Sequence, residues 1–173
     1  AYIAFGLNYP DALGAGSAAA LNDGVILFTD KNELNADTAA YIKSAKFEKI
    51  VIVGGESVVG ASVEKELKKL CADVTRVSGA DRILTSVEIA KTYFEKTDVV
   101  FVATGLNFAD ALAGGPLAAK FEGPVVLVNP NDGAVKPAVL SYIKSSGAKK
   151  VVVLGGENAI SPKLYKQLQD AVK

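Results

Sequence analysis

The sequence has no histidine, which removes the usual general base near neutral pH, the usual partner of a nucleophilic serine and the commonest zinc ligand. It has one cysteine, Cys71, which follows LKKL at the end of an amphipathic run. With no second thiol there is no internal disulfide, and the expected role is a small buried apolar side chain. Nineteen basic and nineteen acidic residues cancel. No global field therefore holds nucleic acid or an anionic membrane surface, and any anion has to be bound locally. Lys, Asp, Glu or Gly interrupts every apolar stretch before the ~18 residues a membrane helix needs. The chain starts on AYIAFG, which reads as a strand with no basic segment ahead of it, so no signal peptide is visible. Arginine is scarce as well: Arg76 and Arg82 are the only two.

What is present is a repeat. GLNYPDALGAGSAAA at residues 6–20 returns as GLNFADALAGGPLAA at 105–119, nine of fifteen positions identical at a spacing of 99. The same offset relates AYIAF to VVFVA and GVILFT to GPVVLV. It becomes 101 by Tyr41–Ile42 and Tyr142–Ile143, and relates VIVGGE at 51–56 to VVLGGE at 152–157. The two copies thus differ by two residues in a surface loop, at positions 30–40 of the first copy. Half of the 173 residues are hydrophobic, enough to give one large or two small domains a sizeable core.

Each copy alternates short β-branched runs with segments of helical period, such as Val63, Leu67, Leu70 and its partner Leu164, Leu168, Val172. The strands are continuously apolar, the pattern of a parallel sheet covered on both faces. The class is therefore α/β, as two βαβαβα units that each form a three-layer sandwich. The stretch between them ends in a helix, with Thr85 and Glu88 at capping-box spacing and Leu84 and Ile89 placed as a hydrophobic staple. No counterpart of that helix precedes Ala1, so the chain is expected to begin inside a longer tandem array.

Ligands of open α/β sheets collect at the carboxyl ends of strands. The repeated loops lie there, with Gly6 or Gly105 ending the strand, Asn8 or Asn107 turning it, and Asp11 or Asp110 in the first helical turn. So do the GGE turns, with Gly55 and Glu56 in one copy and Gly156 and Glu157 in the other. Glycine, Asn and a carboxylate near a helix N-terminus also shape such loops without any ligand. Arg76 and Arg82 bracket VSGAD at the junction of the copies. Their guanidinium groups suit bidentate binding of a phosphate or carboxylate, or else an internal ion pair with Asp81 or a GGE glutamate.

Three motifs fall away. GAGSAA at 14–19 fits a permissive dinucleotide pattern but lies inside a helix, and the second copy, AGGPLA, lacks its first glycine. GESVVG at 55–60 misses nucleophile-elbow spacing by one residue, and no histidine exists to activate Ser57. No Cys- or His-based metal cluster is available, which leaves only unspecific Asp and Glu oxygens; no cofactor or metal is expected.

RVSGADRILTSVEIA, GLNFADALAGGPLAA, GPVVLV and KKVVVLGGENAIS, in that order, resemble one full module of the cell-wall-binding repeat type 2 family of Gram-positive bacteria. The first copy resembles the same module without RVSGADR and its helix. The resemblance implies tandem Toprim-like modules with mostly parallel sheets flanked by helices: 1–75, lacking its N-terminal segment, and 76–173, complete. It implies an extracellular location at the cell wall and non-covalent anchoring to an anionic polysaccharide or teichoic-acid-like polymer. Further copies of the module would be the other partners, and any chemistry would reside elsewhere in the parent protein. The Pro-Ile-Leu-Leu segment usual in the family reads VILF and PVVL here. The magnesium-binding D-x-D pair of Toprim enzymes is absent, so function must come from the site and not from the fold. On this reading Arg76, Arg82 and Asp81, the loop residues Asn8, Asp11, Asn107 and Asp110, and Gly55, Glu56, Gly156 and Glu157 are the candidate ligand contacts. A self-association module of a surface protein is the competing function.

Overall fold

The computed structural model describes residues 1–8 and 10–172. The first repeat contains β1 (Tyr2–Phe5), α1 (Pro10–Leu21), β2 (Ile26–Thr29), α2 (Ala36–Ala45), β3 (Lys49–Val53), α3 (Ala61–Leu70) and β4 (Asp73–Val77). The second contains α4 (Arg82–Tyr93), β5 (Val99–Thr104), α5 (Ala109–Lys120), β6 (Val125–Val128), α6 (Pro137–Ser146), β7 (Lys150–Val153) and α7 (Pro162–Asp170), with a 3-10 turn at Pro130–Asp132. Helical crossovers make every strand pairing parallel. The sheets run β2-β1-β3-β4 and β6-β5-β7.

The repeat is exact at the level of register. Tyr2 lies beside Ile26 and Val51, and Phe101 lies beside Val125 and Val152, the partners that offsets of 99 and 101 require. β4 extends the first sheet from Lys49↔Asp73 to Val53↔Val77, so the boundary drawn between 75 and 76 falls within an edge strand.

Side-chain alternation divides β3 between two layers. Ile50 and Ile52 pack with Ile42, Val63 and Leu67 of α2 and α3. Val51 and Val53 pack with Ala15, Ala18 and Ala19 of α1 and with Ile89 of α4. Each fully buried aliphatic side chain contributes ~1.5–3 kcal/mol. Cys71 is buried and unpaired as expected, its thiol directed at the carbonyls of Phe47, Glu48 and Asp73.

The two sandwiches are not separate. Helix α4 and its C-cap Phe94 place Ile89 and Phe94 against the first sheet's Tyr2 and Val51, while Ile83, Val87 and Ala90 of the helix belong to the second repeat's core. Ser86 Oγ also accepts from Leu127 N at 2.9 Å. Helices α1 and α5 meet directly at Gly16 and Gly115, equivalent positions of the two copies.

Two local expectations are corrected. Helix α4 begins at Arg82 and is capped by Asp81, whose Oδ1 accepts from Leu84 N at 2.9 Å. Thr85 therefore lies buried in the first turn, accepting from Gly79 N instead of capping, and Glu88 pairs with Lys91. The capping-box and staple assignment was four residues late because an Asx acceptor stood just upstream. Continuous apolar character also did not mean cover on both faces in every strand: β6 is fully buried, whereas its counterpart β2 leaves Phe28 50% exposed.

Candidate functional site

The loops at the carboxyl ends of β1 and β5 carry the repeated GLN and Asp residues. Asp11 and Asp110 fold back over the GGE turns of their own copies. A Cβ built on Gly54 would come 2.9 Å from Asp11 Oδ2, and one on Gly155 would collide with Asp110 Oδ2. Both glycines have positive φ, 105° and 98°, so the turn needs glycine for its angle and for the carboxylate above it. Burial raises the Asp11 carboxyl above its ordinary range, opposed by a hydrogen bond from Thr85 and by the Arg82 charge.

The two arginines have different situations. Arg76 donates from Nε and Nη2 to Glu64 Oε2 at 3.3 and 2.8 Å, and from Nη1 to Gly54 O at 2.8 Å. It ties β4 to α3 and to the first GGE turn. Lys68 and then Arg76 hold the Glu64 carboxyl below its usual range. Arg82 donates from Nη1 to Gly105 O at 2.9 Å, and its aliphatic stem lies against Gly105. Its Nε and Nη2 make no hydrogen bond among the described residues.

Arg82 faces a cleft of about 300 Å³ whose other polar lining is Asp81, Asn129, Asp132 and Lys136, with Gly105 and Leu106 also lining it. Lys136 Nζ donates to Asp81 Oδ2 at 2.6 Å. Burial alone would raise the Asp81 carboxyl; hydrogen bonds from Lys136 and the Leu84 amide outweigh it and keep the group below its usual range. The same bond raises the Lys136 ammonium. Asn129 Nδ2 donates to Asp132 Oδ1 at 2.7 Å, shaping the longer loop of the second copy.

The structure thus brings Arg82, Asp81 and Asp11 to the junction, and draws Arg76 away to Glu64. Asn8, Asn107, Glu56 and Glu157 are exposed. Asn107 Oδ1 accepts from Ala109 N at 3.1 Å, a side-chain turn leading into α5. Gly55 is half-buried and Gly156 exposed, with open space where a Gly156 Cβ would be. Sequence reasoning missed Lys136, Asn129 and Asp132, although the change of offset from 99 to 101 marks the loop that supplies them.

A second hollow, about 690 Å³ and apolar, opens where α1 crosses α5, lined by Leu13, Gly16, Phe28, Leu112 and Gly115. Among the described residues no group of three or more His, Cys, Asp or Glu is arranged to hold a metal, and no helix is long and apolar enough to cross a membrane.

Residues 1–64 and 76–165 match the model of the family described as Cell wall binding domain 2 (CWB2). N-acetylmuramoyl-L-alanine amidase LytC of Bacillus subtilis is 30% identical over 168 residues, 97% of this chain and 33% of the amidase. The structure of Cwp6 from Clostridium difficile matches with a TM-score of 0.90 at 25% identity, over 98% of this chain and 27% of that one. Cwp8 from the same organism matches with a TM-score of 0.84 at 31% identity, over 98% and 29%. This chain therefore spans about a third or less of each of these proteins.

Proposed function

This chain belongs to the Cell wall binding domain 2 family, and from that premise we propose that it anchors a surface protein or wall hydrolase to an anionic secondary polymer of the wall. The domain is a cell-wall-binding module. The finer reading, an anionic glycan, is supported by one observation above the others: Arg82 presents a guanidinium with free donors to a polar cleft at the strand ends. Planar guanidinium groups suit phosphate and carboxylate oxygens. Arg76 contributes indirectly on this view, by holding the first GGE turn. The exposed loop residues Asn8, Asn107, Glu56 and Glu157 are proposed to meet sugar hydroxyls of the polymer. Zero net charge suits local recognition better than bulk electrostatic adhesion.

Retention on purified Gram-positive sacculi, before and after removal of their secondary polymers, tests the reading. Retention should be lost with the polymers; equal retention on both preparations sinks the polymer assignment.

Association with further copies of the module is favoured by a separate observation. In the second repeat α4 covers β6, with Ser86 bonded to Leu127 N. The equivalent face of the first repeat, Ile26 and Phe28 of β2, opens on the apolar hollow between α1 and α5. Such surface favours a partner, and a neighbouring module carrying an α4-like helix fits it. The two readings are compatible, since tandem modules raise avidity without any new contact.

A further inference from the structure

The two repeats are superposable in register, yet their strand-end clefts are chemically unequal. At the N-cap of α2 stands Asn35, with φ −53° and ψ 134°, its side chain accepting from Asp37 N and Thr38 N. At the equivalent N-cap of α6 stands Lys136, with φ −56° and ψ 137° and no side-chain cap bond. The backbone is the same and the residue is not. A lysine here gives up a capping hydrogen bond and places a cation against the positive end of a helix dipole. In exchange for the cap the position gains an ion pair with Asp81, which sets the lysine ammonium at the cleft.

Lys136 faces the cleft with Arg82. It spends one of three donors on Asp81; the other two make no hydrogen bond among the described residues. The two-residue difference between the repeats falls in the preceding loop, where the 3-10 turn Pro130–Asp132 brings Asn129 and Asp132 to the cleft. The first repeat has the shorter loop and uses its equivalent side chain, Asn35, as a cap. Two cations and two carboxylates line the cleft of the second repeat, so it carries no net charge. Such a lining suits one anionic group flanked by hydroxyls, for which Asp132 supplies an acceptor, and not a run of anionic groups; Asn129 Oδ1 already accepts from Asn131 N at 3.0 Å.

We propose that Lys136 acts with Arg82 to bind one anionic group of a glycan in the second-repeat cleft, and that the first repeat has no equivalent contact. The inference rests on the wall-binding reading above and makes the two repeats unequal in specificity. An incoming anion shares Lys136 with Asp81 and takes the free donors of Arg82.

The test is retention on Gram-positive sacculi that keep their secondary polymers, for the native chain and for Lys136→Asn, Lys136→Arg and Arg82→Gln, each with its melting temperature. Lys136→Asn installs the first repeat's own residue and its cap, so the melting temperature should hold or rise. Retention should weaken roughly tenfold, the scale of one charge-assisted contact. Lys136→Arg should keep most of it. Native-like retention by Lys136→Asn alongside weakened Arg82→Gln overturns the Lys136 assignment and leaves the wall-binding reading standing. Native-like retention by both Lys136→Asn and Arg82→Gln overturns the cleft reading itself. If Lys136→Asn lowers the melting temperature, Lys136→Arg decides: retention kept supports the assignment, and retention lost contradicts it.

Discussion

Gly16 and Gly115 touch across the crossing of α1 and α5: a Cβ on Gly16 would lie 3.8 Å from the Gly115 Cα, and one on Gly115 3.9 Å from the Gly16 Cα. The positions are related by the repeat offset of 99, so the two copies meet through the same point of the same helix. Each distance is ordinary van der Waals contact for one methyl group, and a second facing methyl would crowd it. Gly16→Ala and Gly115→Ala should each be tolerated, the helix-propensity gain of ~1 kcal/mol offsetting local crowding. The double variant should fall below the sum of the two by ~0.5–3 kcal/mol. A double-mutant cycle by denaturant unfolding measures this; strict additivity would mean that the helices do not meet as described.

Ser17, next to Gly16, is buried, and its hydroxyl has no hydrogen-bond partner among the described residues. Removing an unsatisfied buried hydroxyl relieves part of a desolvation cost of ~1–3 kcal/mol. Ser17→Ala should therefore raise the thermal midpoint, and a lowered midpoint would show that the hydroxyl is satisfied.

Lys46 ends α2 in the left-handed region at φ 52°, and its equivalent in the second repeat is Gly147 at φ 78°. A side chain in that region is strained by ~1–2 kcal/mol. Lys46→Gly copies the second repeat's solution and should stabilise the chain by up to about 1 kcal/mol in urea unfolding, after the glycine's own entropy cost. Destabilisation would contradict the cap assignment.

Acid stability separates two carboxyls. Lys68 and Arg76 hold Glu64 below its ordinary pKa, so its contribution is complete above the unfolded value of ~4.3 and is lost as pH falls through the lower folded value. Asp11 has the opposite sign. Burial raises it, so its contribution is complete below its unfolded value, ~3.9, and is lost as pH rises through the folded one. Between about pH 5 and pH 2, Glu64→Gln should lose less stability on acidification than the native chain, and Asp11→Asn should lose more. Parallel pH profiles for all three would refute the assignment of both groups.

Much of the fold was legible because the repeat wrote it twice. The offsets of 99 and 101 give the strand register around Tyr2 and Phe101, and β-branched runs alternating with helical periods give the layers. The roles of individual polar residues were less legible, since their partners are distant in sequence. Arg76 and Arg82 look alike in RVSGADR, but Arg76 is paired with Glu64, twelve residues back, while Arg82 reaches the cleft. Lys136 lies 55 residues from Asp81, and only the loop-length difference hinted at its position. The exposure of Phe28 was hidden for another reason: burial of a strand face depends on which helix lies over it, and the strand's own sequence does not record that.

Secondary wall polymer released from sacculi, titrated in solution against the native chain and Arg82→Gln, tests the central claim most directly. The account predicts saturable binding by the native chain that displaces it from intact sacculi, with at least a roughly tenfold loss for Arg82→Gln. Undiminished retention on polymer-free sacculi, with no binding to the released polymer, would contradict it.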